Sequence, residues 1–204
     1  MASTINALTG SGGVATTADS SGILEFQSNG TTKATLNSSG LTSPGHILQV
    51  VETSYKTAVT FNVADFTATG VTASITPSST SNKVFVMVKL DIGSSDGGSA
   101  EGSRTRLYRG ASNLTGAMGV DDSARQGSFI THPAYQGDGS SFVTHYGQFL
   151  DSPSTTSSTT YTIYIRGYNT SGSYPTYLNR SNNDSDNYYT PRGTCVMTLM
   201  EVAG

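Results

Sequence analysis

Apolar and polar residues alternate along this chain in short stretches, most clearly over 84–92. There Val84, Val86, Val88, Leu90 and Ile92 fall on one face, and Phe85, Met87, Lys89 and Asp91 on the other. A period of two residues marks a strand with one face in a core. Stretch 160–168 repeats it, with Tyr161, Ile163 and Ile165 set against Thr162, Tyr164 and Arg166. Further strands are predicted at 46–52, 58–63, 71–75, 104–109, 142–150, 174–178 and 194–202. Turn signals such as Thr76-Pro77-Ser78-Ser79 and Asp151-Ser152-Pro153 separate them. No window keeps a helical period for two turns without a Gly or β-branched interruption. The pattern predicts an all-β fold, and eight or nine strands over about 160 residues suit a jelly-roll sandwich.

Pro44-Gly45 is the predicted boundary, with an anchoring or linker segment over 1–43 and the jelly-roll domain over 44–204. Residues 1–22 are small and polar and read as an extended arm. Strands at 23–27 and 33–37 flank Asn29-Gly30, the strongest two-residue hairpin signal, because both turn positions need positive φ. An isolated hairpin is marginal in water, so this one is expected to dock on something else. Ile23, Leu24, Phe26, Leu36 and Leu41 are the anchoring candidates.

The closing strand is apolar on both faces, with Cys195, Met197 and Leu199 on one and Val196, Met200 and Val202 on the other. Such a strand either lies between core and subunit interface or is buried within a monomer. Cys195, Met197, Leu199, Met200 and Val202 are the interface candidates. Trimerising about a three-fold axis would hide both an apolar sheet face and exposed sheet edges.

Composition narrows the function. Charged residues are 12% of the chain and the net charge is −3, with no basic run, so no nucleic-acid partner is expected. No apolar run is long enough to span a membrane, and 1–13 lack the basic and apolar regions of a secretory signal, so no membrane insertion is expected. One cysteine, Cys195, excludes an intrachain disulfide and fits a chain made in a reducing cytoplasm.

His46, His132 and His145 show no local metal spacing. A calcium loop counted from Asp184 would put Tyr189 and Cys195 where Gly and Glu are required. No Gly-X-Ser-X-Gly elbow occurs, and the carboxylates sit mostly in turns. Neither catalytic residues, nor a metal, nor a cofactor is expected, and the protein is read as non-enzymatic. Among 11 tyrosines, Tyr168, Tyr174, Tyr177, Tyr188 and Tyr189 cluster towards the C-terminus and are candidates to stack on sugar rings. Long loops over 93–103, 110–127 and 179–193 offer further contact surface.

Short motifs in a set order carry a resemblance. They are Pro44-Gly45-His46-Ile47-Leu48-Gln49-Val50, Ile75-Thr76-Pro77-Ser78-Ser79, Leu107-Tyr108-Arg109-Gly110, Leu150-Asp151-Ser152-Pro153, Tyr161, Asn179-Arg180-Ser181 and Thr198-Leu199-Met200-Glu201-Val202. Over 44–204 the chain resembles a family of small β domains common in tailed-phage structural proteins. That family is similar to the trimeric jelly roll of the tumour-necrosis-factor and complement type. The hairpin with its Asn-Gly turn likewise resembles shaft or linker segments of phage fibres.

The resemblance implies a homotrimer in the virion, made in the host cytoplasm. Its arm would hold other virion proteins, and its jelly roll would meet the host surface, with a surface glycan as a candidate partner. A tail fibre or tail appendage is the first expectation. A capsid decoration protein is the second, and a free carbohydrate-binding lectin the third. The family brings no catalytic residues with it.

Overall fold

The computed structural model describes residues 3–7, 14–17, 20–38, 40–94, 102–123, 125–132, 140–167 and 175–204. Five strands precede the boundary: β1 (Ser3–Ala7), β2 (Val14–Thr17), β3 (Leu24–Ser28), β4 (Thr31–Asn37) and β5 (Gly40–Thr42). They form one sheet in the order β2-β1-β3-β4-β5, with β1 parallel to β3 and the other neighbours antiparallel. Asn29 and Gly30 take φ of 50° and 73°, as the predicted hairpin turn requires.

The expected extended arm therefore carries two strands. Each is too short to signal itself by alternation, and each becomes a strand because the free edge of β3 offers β1 a row of hydrogen-bonding groups.

Beyond Pro44-Gly45 the strands are β6 (Ile47–Tyr55), β7 (Val59–Phe61), β8 (Thr67–Ile75), β9 (Lys83–Ser94), β10 (Ser103–Arg109), β11 (Ser112–Asn113), β12 (Thr131–His132), β13 (Val143–Asp151), β14 (Thr159–Gly167), β15 (Thr176–Leu178) and β16 (Cys195–Val202). They build two antiparallel sheets. In the first, β16 lies between β6 and β9, and β13 takes the other edge of β9. Past the end of β16, β15 pairs with the last residues of β9 and β7 pairs with β15. Thus β15 and β16 share one lane of the sheet, as do β6 and β7, and the sheet is four lanes wide. The second sheet runs β8-β14-β10-β11, with β12 also on β10.

The predicted alternation sets the packing. Val84, Val86, Val88, Leu90 and Ile92 of β9 are buried, as are Cys195, Met197 and Leu199 of β16. From the second sheet Val71, Ala73, Ile75, Leu107, Tyr161, Ile163 and Ile165 complete one apolar cluster. Burial of this kind is the main favourable term in folding, at roughly 25 cal/mol per Å² of apolar surface.

Two carboxylates caught at the ends of the sheets are paired. Tyr161 donates its hydroxyl to Asp151 Oδ2 at 2.7 Å, and Arg109 Nη1 reaches the same oxygen at 2.7 Å. Buried Glu201 accepts from Gln49 Nε2 at 2.5 Å, the Ser78 amide at 2.6 Å, Ser78 Oγ at 2.8 Å and Asn82 Nδ2 at 2.6 Å. Burial pushes its carboxyl up, but Asn82, Gln49 and Ser78 outweigh that and leave the pKa below the usual value.

Glu201 thereby ties β16 to β6 and to the turn between β8 and β9. Glu201→Ala would leave these donors buried without an acceptor. It is expected to destabilise the fold by about 3 kcal/mol, read as a lower urea midpoint at unchanged m. A midpoint equal to that of the parent would show that Glu201 does not pin the strand.

Candidate functional site

The outer faces of the two sheets differ in kind. On the first, the register sets Val50, Met200, Phe85 and Leu150 side by side across β6, β16, β9 and β13. The next row is Glu52, Thr198, Met87 and Gln148, and the third is Ser54, Val196, Lys89 and Tyr146. Val50 is 57% exposed, Leu150 45% and Met87 40%. A hollow of about 560 Å³ opens among the second and third rows, lined by Met87, Lys89, Tyr146, Gln148 and Val196.

On the second sheet, outward hydroxyls pair with each other. Thr72 meets Thr162 at 3.0 Å and Ser74 meets Thr160 at 2.7 Å. Tyr108 stacks on Tyr164 with ring centroids 4.0 Å apart. Among the described residues its strands expose no large apolar side chain.

The interface candidates divide accordingly. Cys195, Met197 and Leu199 are fully buried and belong to the core. They face the opposite sheet, because Glu201 and every second residue before it point inward. Met200 and Val202 lie on the outer, partly exposed face.

The anchoring candidates fall largely on one face of the N-terminal sheet. Leu24, Leu36 and Leu41 form a row across β3, β4 and β5, and Phe26 stands beside Ala34 in the next. Phe26, Leu36 and Leu41 are exposed. The opposite face is polar, where Glu25 accepts from Gln27 Nε2 at 2.8 Å and from Thr32 Oγ1 at 3.2 Å. Ile23 precedes β3 and lies outside the row.

A loop leaves the shared lane of β15 and β16 between Asn179 and Gly193, and its neck is built by the core. Asn179 is buried with φ of 59°, a left-handed conformation that asparagine tolerates. Its Nδ2 donates to the Tyr55 and Thr57 carbonyls at 2.8 and 3.1 Å, and Cys195 Sγ donates to its Oδ1 at 3.0 Å. The Gly193 amide closes the neck onto the Asn179 carbonyl at 3.0 Å. Gly193 is required there, because a Cβ would stand 2.6 Å from Asp91 Oδ2.

Asp91 accepts from Lys89 Nζ at 2.7 Å, Thr144 Oγ1 at 2.6 Å and the Thr194 amide at 2.8 Å. Burial pushes its carboxyl up, but these partners outweigh burial and hold it below the ordinary value. Burial also pushes the Cys195 thiol up to about 12, so it is an inert core group and not a nucleophile.

Asp184 bridges Arg192 at 2.7 Å and Arg180 at 3.1 Å across the loop. Tyr188 and Tyr189 project from its tip with centroids 3.8 Å apart. Tyr177, read as a receptor contact, is buried instead. Its hydroxyl donates to Asn182 at 2.6 Å and Arg180 covers its ring at 4.3 Å. Tyr168 and Tyr174 lie outside the described residues.

Sequence spacing gave no sign that His132 and His145 meet. β12 and β13 bring His132 Nδ1 within 2.9 Å of His145 Nε2, the two rings edge to face, and so join the edges of the two sheets. No protein-family model matches the chain, and no curated protein matches it in sequence. Among the described residues no three His, Cys, Asp or Glu side chains converge to hold a metal ion.

The histidine pair sets a pH dependence. Burial, then the neighbouring His145, lowers the His132 pKa from 6.5 to about 4. Burial lowers His145 as well, against an opposing pull from Asp91. The unfolded chain takes up these protons near pH 6.5, so it binds more of them than the folded chain below that pH. Stability is therefore complete above pH 6.5 and falls as the pH drops towards 4. The urea midpoint is expected to decline across that window, and His132→Gln to flatten the decline. An equal decline in that variant would reject the assignment.

Proposed function

We propose that this chain is a non-enzymatic structural protein of a phage virion. It acts as a homotrimeric fibre or tail appendage that presents a jelly roll for host attachment. With shared lanes merged, the two sheets run β6/β7, β15/β16, β9, β13 and β8, β14, β10, β11/β12. Four lanes facing four, with the chain crossing repeatedly from one sheet to the other, supports the jelly-roll reading.

The apolar row Val50, Met200, Phe85 and Leu150 carries the proposal. A sheet face open to water ordinarily alternates to polar, as the second sheet does. Apolar side chains in line across four strands support a buried use, and further copies of this chain are the occupant that the resemblance to three-fold jelly rolls favours. On the same face the Lys89 charge is already met by Asp91, and Glu52 accepts from Thr198 Oγ1 at 3.1 Å. The apolar face of the N-terminal sheet is the anchor onto other virion proteins.

That small sheet also supports a second reading, capsid decoration, in which Leu24, Phe26, Leu36 and Leu41 lie against the head shell. Cryo-electron microscopy of virions separates the two by locating the chain at the tail or over the capsid lattice.

Met200→Asp places a carboxylate in the middle of the apolar row without touching the core. The parent is expected to run as a trimer in size-exclusion chromatography with light scattering, and the variant as a folded monomer. A soluble trimer of the variant would sink the interface.

A further inference from the structure

The tip of the loop that leaves the β15/β16 lane carries a hollow with its own chemistry. The hollow is about 430 Å³ and is lined by Ser140, Ser141, Asn183, Asn187, Tyr189 and Pro191. Among the described residues of that lining there is no carboxylate, ammonium or guanidinium. Tyr189 is 64% exposed and Tyr188, packed against it, 85%. Rings this open present flat apolar faces to water at the rim of an otherwise polar site.

The lining is also held in place before anything binds. Asn183 Oδ1 accepts from the Ser185 amide at 3.2 Å and Ser185 Oγ at 2.7 Å. Asn187 Oδ1 accepts the Tyr189 amide at 2.9 Å, and Asn187 Nδ2 donates to Ser185 Oγ at 2.7 Å. Each amide oxygen thus serves the loop's own backbone. Asn187 Nδ2 has a second hydrogen beyond the one given to Ser185, and the Asn183 NH2 carries two donors of its own. The Asp184 bridge to Arg180 and Arg192 and the Asn179 neck hold the loop from below.

We propose that this hollow binds one unit of a neutral saccharide. The apolar face of the sugar ring stacks on Tyr189, backed by Tyr188, and its hydroxyl or acetamido oxygens accept from Asn183 and Asn187. An exposed ring beside uncharged amides and hydroxyls suits a ligand that is apolar on one face and dense in hydroxyls at its edge. The described residues of the lining offer no cation to an acidic sugar or phosphate and no carboxylate to an amine. A pre-ordered loop loses little conformational freedom on binding. The biological meaning of the site rests on the attachment reading, whereas its chemistry does not.

The test is saturation-transfer NMR and calorimetry on the full chain. The probes are methyl glucoside, methyl galactoside, methyl mannoside, N-acetylglucosamine and N-acetylgalactosamine, with galacturonic and sialic acids as charged counterparts. At least one neutral sugar is expected to bind, with saturation passing from tyrosine ring protons to one face of the sugar. Tyr189→Ala should weaken it by about tenfold or more, and Tyr189→Phe, which keeps the ring, should retain it. An unchanged thermal melt of both variants excludes misfolding as the cause.

Binding by none of the neutral sugars, binding by the acidic ones alone, or binding indifferent to Tyr189→Ala overturns the site. Met200→Asp should bind the sugar as the parent does, and loss there would also overturn a site contained in one chain. Normal host adsorption by virions carrying Tyr189→Ala, with sugar binding lost, would reject the attachment reading and leave the site standing.

Discussion

The last strand of the chain occupies the middle of a sheet, and the rest of the fold depends on seating it. β16 pairs with β6 on one side and β9 on the other, so its neighbours come from some 150 and 110 residues earlier in the sequence. Its inward side chains fill the core, and its last inward position is a carboxylate, Glu201. An ionised carboxylate taken out of water is tolerated only when its oxygens find donors. Glu201 finds them on β6 and on the turn before β9, so the strand is locked in register at its far end. Asp91 does the same beside the near end, through Thr194 and Lys89. Hydrophobic burial alone would allow β16 to slip by two residues, and the two pinned carboxylates forbid it.

Much of this was legible in the chain. Period-two alternation over 84–92 and 160–168 placed β9 and β14 within two residues of their ends and assigned their inner faces correctly. Asn29-Gly30 was legible because the turn demands a backbone conformation that few residues accept. The shared lane of β15 and β16 was not, because alternation has no signal for a strand interrupted by a loop and resumed. Tyr177 misled for a related reason, since three residues of strand are too few to show which face is buried. The His132–His145 contact joins two sheet edges across residues that carry no spacing rule. The inward assignment of Cys195, Met197 and Leu199 was equally hidden, because a strand apolar on both faces does not say which face meets its own core.

The short motifs that carry the family resemblance gain a physical meaning from the fold. Arg109, Asp151 and Tyr161 come from three of them and meet in one ion pair and hydrogen bond. Ser78 and Glu201 come from two others and meet at the end of β16. Asn179, from another, holds Cys195 and the loop neck. Such residues are few and far apart in sequence, because each must be one particular polar group at one buried position. The apolar positions between them accept many substitutions of similar size. The motifs therefore describe how the ends of the sandwich are pinned, and through Val50, Leu150 and Met200 they also reach the outer apolar row of the first sheet.

The proposed sugar site stands apart from this pinned framework. The neck of the 179–193 loop is made by Gly193 and the buried Asn179 and Asp91, while the lining of its hollow makes no contribution to the core cluster. Residues at the tip can change without disturbing β15, β16 or β9, because the loop rejoins its lane through bonds that the tip does not supply. A surface that must vary while its support stays fixed is best placed on such a loop. The outer face of the first sheet is under the opposite constraint. Its side chains alternate with core residues on the same strands, so any change of register there exchanges inside for outside. The proposed assembly face is in this way coupled to the fold, and the proposed sugar site is released from it.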